Sequence, residues 1–297
     1  MVSNTTNTWQ GVRDTAFWVA LYRARESLRA DRLFNDRWAT HLVGEDNARV
    51  IEKLPRVFAS EWKYSLRTVT IDTFIQNAID REFIDVVVNL GAGLDMRPYR
   101  LEVPSHIVWV EVDLPEIIAY KEKKIASFTP YPIPHCLVKR MGCDLSKKEE
   151  QAKVFNEVAT FGKRCLIVTE GLLIYLEQSQ VAQLMNEVAS HGETVFWVTD
   201  YHTDFMVSWY KKTAQLLLSH LKMTFKFSVP KDKGVAYFEQ FGWKPVADIS
   251  MFDAAFKYDR RPPFLVRVQA SLGLGGRGSY VRAMSGCCLL KKTKLTV

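Results

Sequence analysis

The chain has 297 residues, 47% hydrophobic and 25% charged, which suits one large globular domain or two small ones with a real core. No run of 18 apolar residues occurs, so no membrane span is expected. The net charge of +7 does not point to nucleic acid: five of the charges (Arg277, Arg282, Lys291, Lys292 and Lys294) lie in the acid-free stretch 271–297, leaving +2 over residues 1–270, and no block of five consecutive basic residues occurs.

The first residues, MVSNTTNTWQ, lack the basic-then-apolar pattern of an export signal. The five cysteines, at 136, 143, 165, 287 and 288, are scattered and contain no CxxC, as expected of reduced thiols in a cytoplasmic protein. Three helices are expected next. They are VRDTAFWVALYRARES, a stretch over about 34–42, and one over about 60–80 with Leu66, Val69, Phe74 and Ala78 near helical spacing. From residue 84 the pattern changes to short β-branched runs separated by helical segments. The runs are 85–90, 106–113, 136–144, 164–171 and 193–201, and the helices cover about 115–126, 146–161 and 177–190. That alternation predicts a parallel sheet with helices on both faces. A helical insertion follows from Asp204, then a short helix ending at Gly242, and two late strands at 243–250 and 283–292 joined through the loop-like RRPPF and GLGGRGS. The expected division is an N-terminal helical cap over 1–82 and a core over 83–297, with the insertion spanning about 204–241.

The first strand runs into a glycine turn, VVVNLGAGLDMRPYRL. Glycine removes Cβ and tolerates positive φ, so such a turn lets backbone approach a ligand. The dinucleotide fingerprint GxGxxG needs a third glycine, and Met96 stands in its place; no GK[ST] follows, which excludes a Walker loop. Acids close the next three strands. Asp113 lies 22 residues after Gly91, Asp144 ends the third strand, and Glu170 ends the fourth. An acid in the position of Asp113 suits two ribose hydroxyls, with Glu111 on the same strand face as its competitor. Asp144 suits an adenine amino edge or, equally, the N-cap of the following helix. Ribose, adenine and a cation without a phosphate are the parts of S-adenosylmethionine.

NLGAGLDMRPYRL, VEVDLPEII and VTEGLLIYL, in this order, resemble the leucine carboxyl methyltransferase superfamily, as does TAFWVALYRARESLRADRLFNDRWA. The likeness covers most of the chain and is nearer the bacterial small-molecule branch, similar to tetracenomycin-type polyketide O-methyltransferases, than the branch that methylates a phosphatase C-terminus. It implies a class I methyltransferase α/β fold, Rossmann-like, with a mostly parallel seven-stranded sheet. It also implies S-adenosylmethionine as cofactor and O-methyl transfer to a small-molecule hydroxyl or carboxyl. By this resemblance Arg67 pairs with the methionine carboxylate, Gly91 and Gly93 lie beside the methionine moiety, and Asp113 takes the ribose. Asp144 and Leu145 flank adenine, and Glu170 lies near the methionine amino group or sulfonium. Asp95 and Arg97 either shape the loop or touch the ligand.

The acceptor side is expected around TDYHTD (199–204), where His202 is the candidate general base and Tyr201 a pocket wall or catalytic partner. The aromatic insertion (Phe205, Trp209, Tyr210, Phe225, Phe227) suits a flat apolar acceptor or plain core packing. No His/Cys/Asp/Glu spacing suggests a metal. Other activities compatible with the sequence are carboxyl methylation of a peptide or protein C-terminus, non-catalytic binding of S-adenosylmethionine, and a nucleotide-dependent oxidoreductase, which the missing third glycine disfavours.

Overall fold

The computed structural model describes residues 12–52, 61–191, 194–220, 224–260 and 284–293. The N-terminal decapeptide, most of RRPPF and all of GLGGRGS lie outside them. In chain order the elements are α1 (Val12–Ser27), α2 (Ala39–Val43), α3 (Glu45–Glu52), α4 (Glu61–Arg81), β1 (Val86–Leu90), β2 (Val108–Asp113), α5 (Pro115–Ala126), β3 (Leu137–Gly142), α6 (Lys148–Val158), β4 (Arg164–Thr169), α7 (Gln178–Ser190), β5 (Thr194–His202), α8 (Asp204–His220), β6 (Trp243–Ser250), α9 (Met251–Lys257) and β7 (Ser285–Lys292). The strands form the expected seven-stranded sheet in the order β3-β2-β1-β4-β5-β7-β6. The first five are parallel, and β7 runs antiparallel to both of its neighbours.

Alternation along each strand splits the core in two. Val86, Val88 and Leu90 face α6 and α7, in a cluster with Phe155, Leu184, Trp197, Phe238 and Trp243. Val87, Trp109, Leu166 and Phe196 face the other way, against Leu66, Ile71, Phe74 and Ile75 of α4 and Ala254 of α9. α4 is therefore one of the layers of the sheet's own core. A third cluster joins Trp18 and Leu21 of α1 and Leu42 of α2 to Leu94, Met96 and Ile125, which seats the N-terminal helices over the carboxyl edge of the sheet.

Local chemistry explains the boundaries. Pro115 opens α5 at a position whose N–H has no helical partner, and α7 opens with a capping box between Glu177 and Gln180. Ser250 caps α9 by accepting the Asp253 N–H at 3.0 Å. The adjacent Cys287 and Cys288 point to opposite core layers, and all five cysteines are free and buried. Among the described residues no helix is long and apolar enough to cross a membrane.

The link from β1 to β2 departs from the rest. A single 3-10 turn, Arg97–Tyr99, stands where the other parallel crossovers carry an α-helix. Strand order reverses between β1 and β4, and a cavity opens there, at the carboxyl ends of β1, β2, β4 and β5.

Candidate active site

The glycine turn forms the floor of that cavity. Gly91 (φ 69°) and Gly93 (φ 47°) are both in the left-handed region, and a Cβ on either would come within 3.2 Å of Leu172 or Ala16. The amides of this turn are already used. Gly91 and Ala92 donate to the Val112 carbonyl at 2.8 and 3.0 Å, and Gly93 donates to Asp113 Oδ2 at 2.6 Å. Among the described residues no α-helix starts at this turn to cradle a pyrophosphate. The absent third glycine thus has a structural counterpart, since helix–strand packing around a phosphate does not occur here.

Asp113 stands at the cavity with both oxygens engaged by backbone, Oδ1 accepting from Leu114 at 2.7 Å. Burial raises its pKa, against the lowering effect of the two N–H donors. Each carboxylate oxygen keeps a lone pair for a further donor. Its competitor Glu111 is unavailable, being fully buried in ion pairs with Lys121 (2.9 Å) and Arg140 (2.8 Å).

Behind the floor lies a network of charges. Arg97 donates to Asp72 through Nε, to Asp95 through Nη1 and to Glu170 through Nη2, each at 2.7 Å. Asp95 also accepts from Asn89 (2.8 Å) and from the Arg97 amide (3.0 Å), so Asp95 and Arg97 shape the loop. Arg67, from α4, donates to Glu170 Oε1 at 3.0 Å and to Asp200 Oδ2 at 3.3 Å, and stacks over Tyr64. Asp200 is fixed in turn by the Gly171 N–H at 2.7 Å. Burial alone would raise Glu170, but the guanidinium groups of Arg97 and Arg67 outweigh it and hold the carboxyl at about 2. Asp95 is likewise held well below the carboxylate range by Arg97 despite burial. Arg23 reaches the same cavity from α1, tied to Asp36 (2.8 Å) and the Leu94 carbonyl (2.6 Å).

The far end of the cavity is different. Asp200 and His202 share one face of β5 and line it, together with Lys63, Tyr64, Tyr175, Met206, Tyr210 and Phe225. Burial pushes His202 down to about 4, with Arg67 and Lys63 adding to it and Asp200 opposing, so the imidazole is neutral at pH 7. Its Nε2 lies 3.7 Å from Asp200 Oδ2, the Tyr201 backbone also acts on the ring, and Nδ1 is shut off from solvent. Tyr175 and Tyr210 both pack on Phe225, with ring centroids 5.9 and 5.8 Å away.

Six of the residues expected at the site, Arg67, Gly91, Gly93, Asp113, Glu170 and His202, meet on this cavity. Tyr201 does not. Strand alternation turns it to the opposite face, where it is buried beside Trp197 and Cys288 and donates to Asp248 at 3.0 Å. Asp144 and Leu145 also lie outside the cavity wall. The Asp144 carboxylate accepts from the amide and hydroxyl of Ser146, and Leu145 is buried in the core. Of the insertion's aromatics, only Tyr210 and Phe225 face the cavity; Phe205 and Trp209 are exposed, and Phe227 is core. The sequence left without a role Lys63, Tyr64 and Arg23. Lys63 and Arg67 are four apart on α4, a spacing that puts both on one helical face.

A model of the family described as leucine carboxyl methyltransferase matches residues 16–189, more than half of the chain. A Mycobacterium marinum protein provisionally named as an S-adenosyl-L-methionine-dependent methyltransferase is 29% identical over 188 residues, 59% of this chain and 61% of its own length. The match therefore spans about three fifths of that relative. A Mycobacteroides abscessus protein of the same provisional name is 28% identical over 268 residues, 84% of this chain and 85% of its own length. The tetracenomycin polyketide synthesis O-methyltransferase of Streptomyces glaucescens is 24% identical over 60% of each chain. Among solved structures, a DUF574-family protein from Streptomyces avermitilis shares the fold, with a TM-score of 0.58 at 10% identity, covering 91% of this chain and 99% of that one.

Proposed function

The chain belongs to the leucine carboxyl methyltransferase family of S-adenosylmethionine-dependent enzymes, and from that premise we propose that it methylates an oxygen, hydroxyl or carboxyl, of a small-molecule acceptor. One observation carries the proposal. A turn whose Gly91, Ala92 and Gly93 amides are spent inside the protein, a carboxylate at the end of β2 and an Arg67–Glu170 pair at the end of β4 line one cavity. That donor set fits a ribose and an amino acid.

In this proposal Asp113 accepts the two ribose hydroxyls. Arg67 exchanges its long contact to Asp200 for a carboxylate, which a guanidinium binds in bidentate fashion. Glu170, ionised at every physiological pH, faces the amino group. Asp144 and Leu145 adjoin this end, because the Cys143 amide donates to the Asp113 carbonyl at 2.8 Å, and we assign them to the base. Bound S-adenosylmethionine supplies an electrophilic methyl group; the chain's task is to align the acceptor and exclude water. A carboxylate acceptor arrives ionised and needs no base. For a hydroxyl, neutral His202, with Nε2 3.7 Å from Asp200 Oδ2, takes the proton as the new bond to oxygen forms.

Titration calorimetry tests the cofactor. S-adenosylmethionine and S-adenosylhomocysteine are expected to bind and NAD is not; the reverse result refutes the proposal. Transfer of a labelled methyl group to panels of hydroxyl-bearing and carboxyl-bearing compounds then identifies the acceptor oxygen.

A further inference from the structure

One carboxylate oxygen near the end of β5 stands between the two ends of the cavity. Asp200 Oδ1 is taken by the Gly171 N–H at 2.7 Å. Asp200 Oδ2 accepts from Arg67 Nη1 at 3.3 Å and lies 3.7 Å from His202 Nε2. The aspartate side chain is only 5% exposed, so water is a poor substitute for either partner. Arg67 also donates to Glu170 at 3.0 Å, which makes the Asp200 contact the longer and weaker of its two. His202 Nδ1 is shut off from solvent, which leaves Nε2 as the nitrogen available to take a proton.

Arg67 therefore governs how much of the Asp200 charge reaches His202. While the guanidinium sits on Oδ2, burial, Arg67 and Lys63 hold the imidazole down, and Asp200 opposes them without success. The other groups at this end leave the balance alone. Helix α4 presents Lys63, Tyr64 and Arg67, the turn after β4 presents Tyr175, α8 presents Tyr210, and β7 brings Ser285, which does not titrate. Burial raises Tyr64 and Tyr175, so both stay neutral at pH 7. A carboxylate arriving at Arg67 changes the balance twice over. It neutralises the guanidinium, and it frees Oδ2 for the imidazole.

We propose that Asp200 is a positioning residue that makes His202 a base only when the cofactor is bound: the cofactor's carboxylate draws Arg67 off Oδ2, and the freed oxygen steadies the proton that His202 Nε2 receives. This rests on the methyltransferase proposal above, in which Arg67 takes that carboxylate. The acceptor's hydroxyl proton passes to Nε2, its oxygen bonds the methyl carbon, the sulfur keeps the electron pair of the broken bond, and S-adenosylhomocysteine leaves. Arg67 then returns to Asp200, and the imidazolium gives its proton to water. A hydroxyl acceptor is thus activated only after the cofactor has bound.

The test needs no acceptor. The full chain is labelled in its histidine ring nitrogens and titrated by NMR, with the His202 signals assigned by their loss in His202→Gln. Saturating S-adenosylhomocysteine is expected to raise the His202 midpoint by about one pH unit or more, roughly a tenfold gain in proton affinity. Methylthioadenosine, which keeps the adenosine and the sulfur but has no carboxylate, is expected to leave the midpoint in place. Arg67→Met is expected to show the raised midpoint with no ligand at all. Asp200→Asn retains an oxygen for the Gly171 N–H. It is expected to bind S-adenosylhomocysteine at least as tightly as the wild type, because Arg67 has one partner fewer to leave, and to show no rise. An equal rise with both ligands, no rise with S-adenosylhomocysteine, or a rise that survives Asp200→Asn overturns the proposal. If Asp200→Asn does not fold, the comparison of the two ligands in the wild-type chain decides alone. Failure of S-adenosylhomocysteine to bind the wild-type chain in calorimetry is a distinct result, which removes the methyltransferase proposal and this one with it.

Discussion

The two ends of the cavity solve the same problem in opposite ways. At the glycine-turn end every charge has a partner. Asp72, Asp95 and Glu170 converge on Arg97, and the turn's amides close on Val112 and Asp113. At the β5 end Lys63 has no carboxylate within ion-pair distance among the described residues and meets the rings of Trp62 and Tyr210. The first end is built before any ligand arrives and holds its shape through buried ion pairs. The second is left for a ligand to complete. A preorganised end suits the partner common to every turnover, and an incomplete end suits the partner that must be selected.

The sharpest way to break this contrast is to remove Arg97. Arg97→Met strands buried carboxylates, and the expected loss of stability is about 3–5 kcal/mol, read from denaturant unfolding. A loss below about 1 kcal/mol would show that the network is not what holds this end. Acid unfolding separates the ends by pH. His202 is held near 4 against an ordinary value of 6.5, so the unfolded chain binds its proton first. Its contribution is complete above pH 6.5 and falls by roughly 3 kcal/mol as the pH drops to 4. Glu170, held near 2 against 4.5, contributes fully above pH 4.5 and loses its contribution as the pH falls toward 2. His202→Gln is expected to flatten the upper part of the acid limb, and Glu170→Gln the lower part; a limb unchanged by either variant contradicts the assignment.

Arg67→Ala is next in size. Cofactor affinity is expected to fall by about 1.5–3 kcal/mol in calorimetry, the value of a charged hydrogen bond. Undiminished affinity removes Arg67 from the cofactor site. Asp144→Ala is the smallest. Its carboxylate is partly exposed and already engaged by Ser146, so the expected loss of affinity is about 1 kcal/mol, and an unchanged value confines Asp144 to its local turn.

How much of this was legible in the sequence depends on range. Strands β1, β4 and β5 follow the β-branched runs to within two residues, because a doubly buried strand must be continuously apolar. The short α3 and α9 were missed, although Ser250 and Asp253 carry the spacing of a helix start. Strand alternation also rules that Tyr201 and His202 cannot share a face, a constraint that separates the two candidate catalytic residues. The charge network was not legible. Arg67 meets Glu170 and Asp200 across 103 and 133 residues, and Arg97 meets Asp72 only because α4 lies on the sheet. No local pattern encodes such partners. Lys63 carries no local signal for the same reason: what surrounds its ammonium is a property of the folded neighbourhood.

The place of β7 has a consequence in time. It is the last of the described strands in chain order, yet it lies between β5 and β6, hydrogen-bonded to both. During synthesis β5 leaves the ribosome with one edge bare, and β6 follows with no neighbour to pair with. Both stay exposed while more than thirty further residues are added between β6 and β7. The nascent chain therefore carries an open sheet edge while those residues are added, and that interval is when it is most prone to pair with another copy or to need a chaperone.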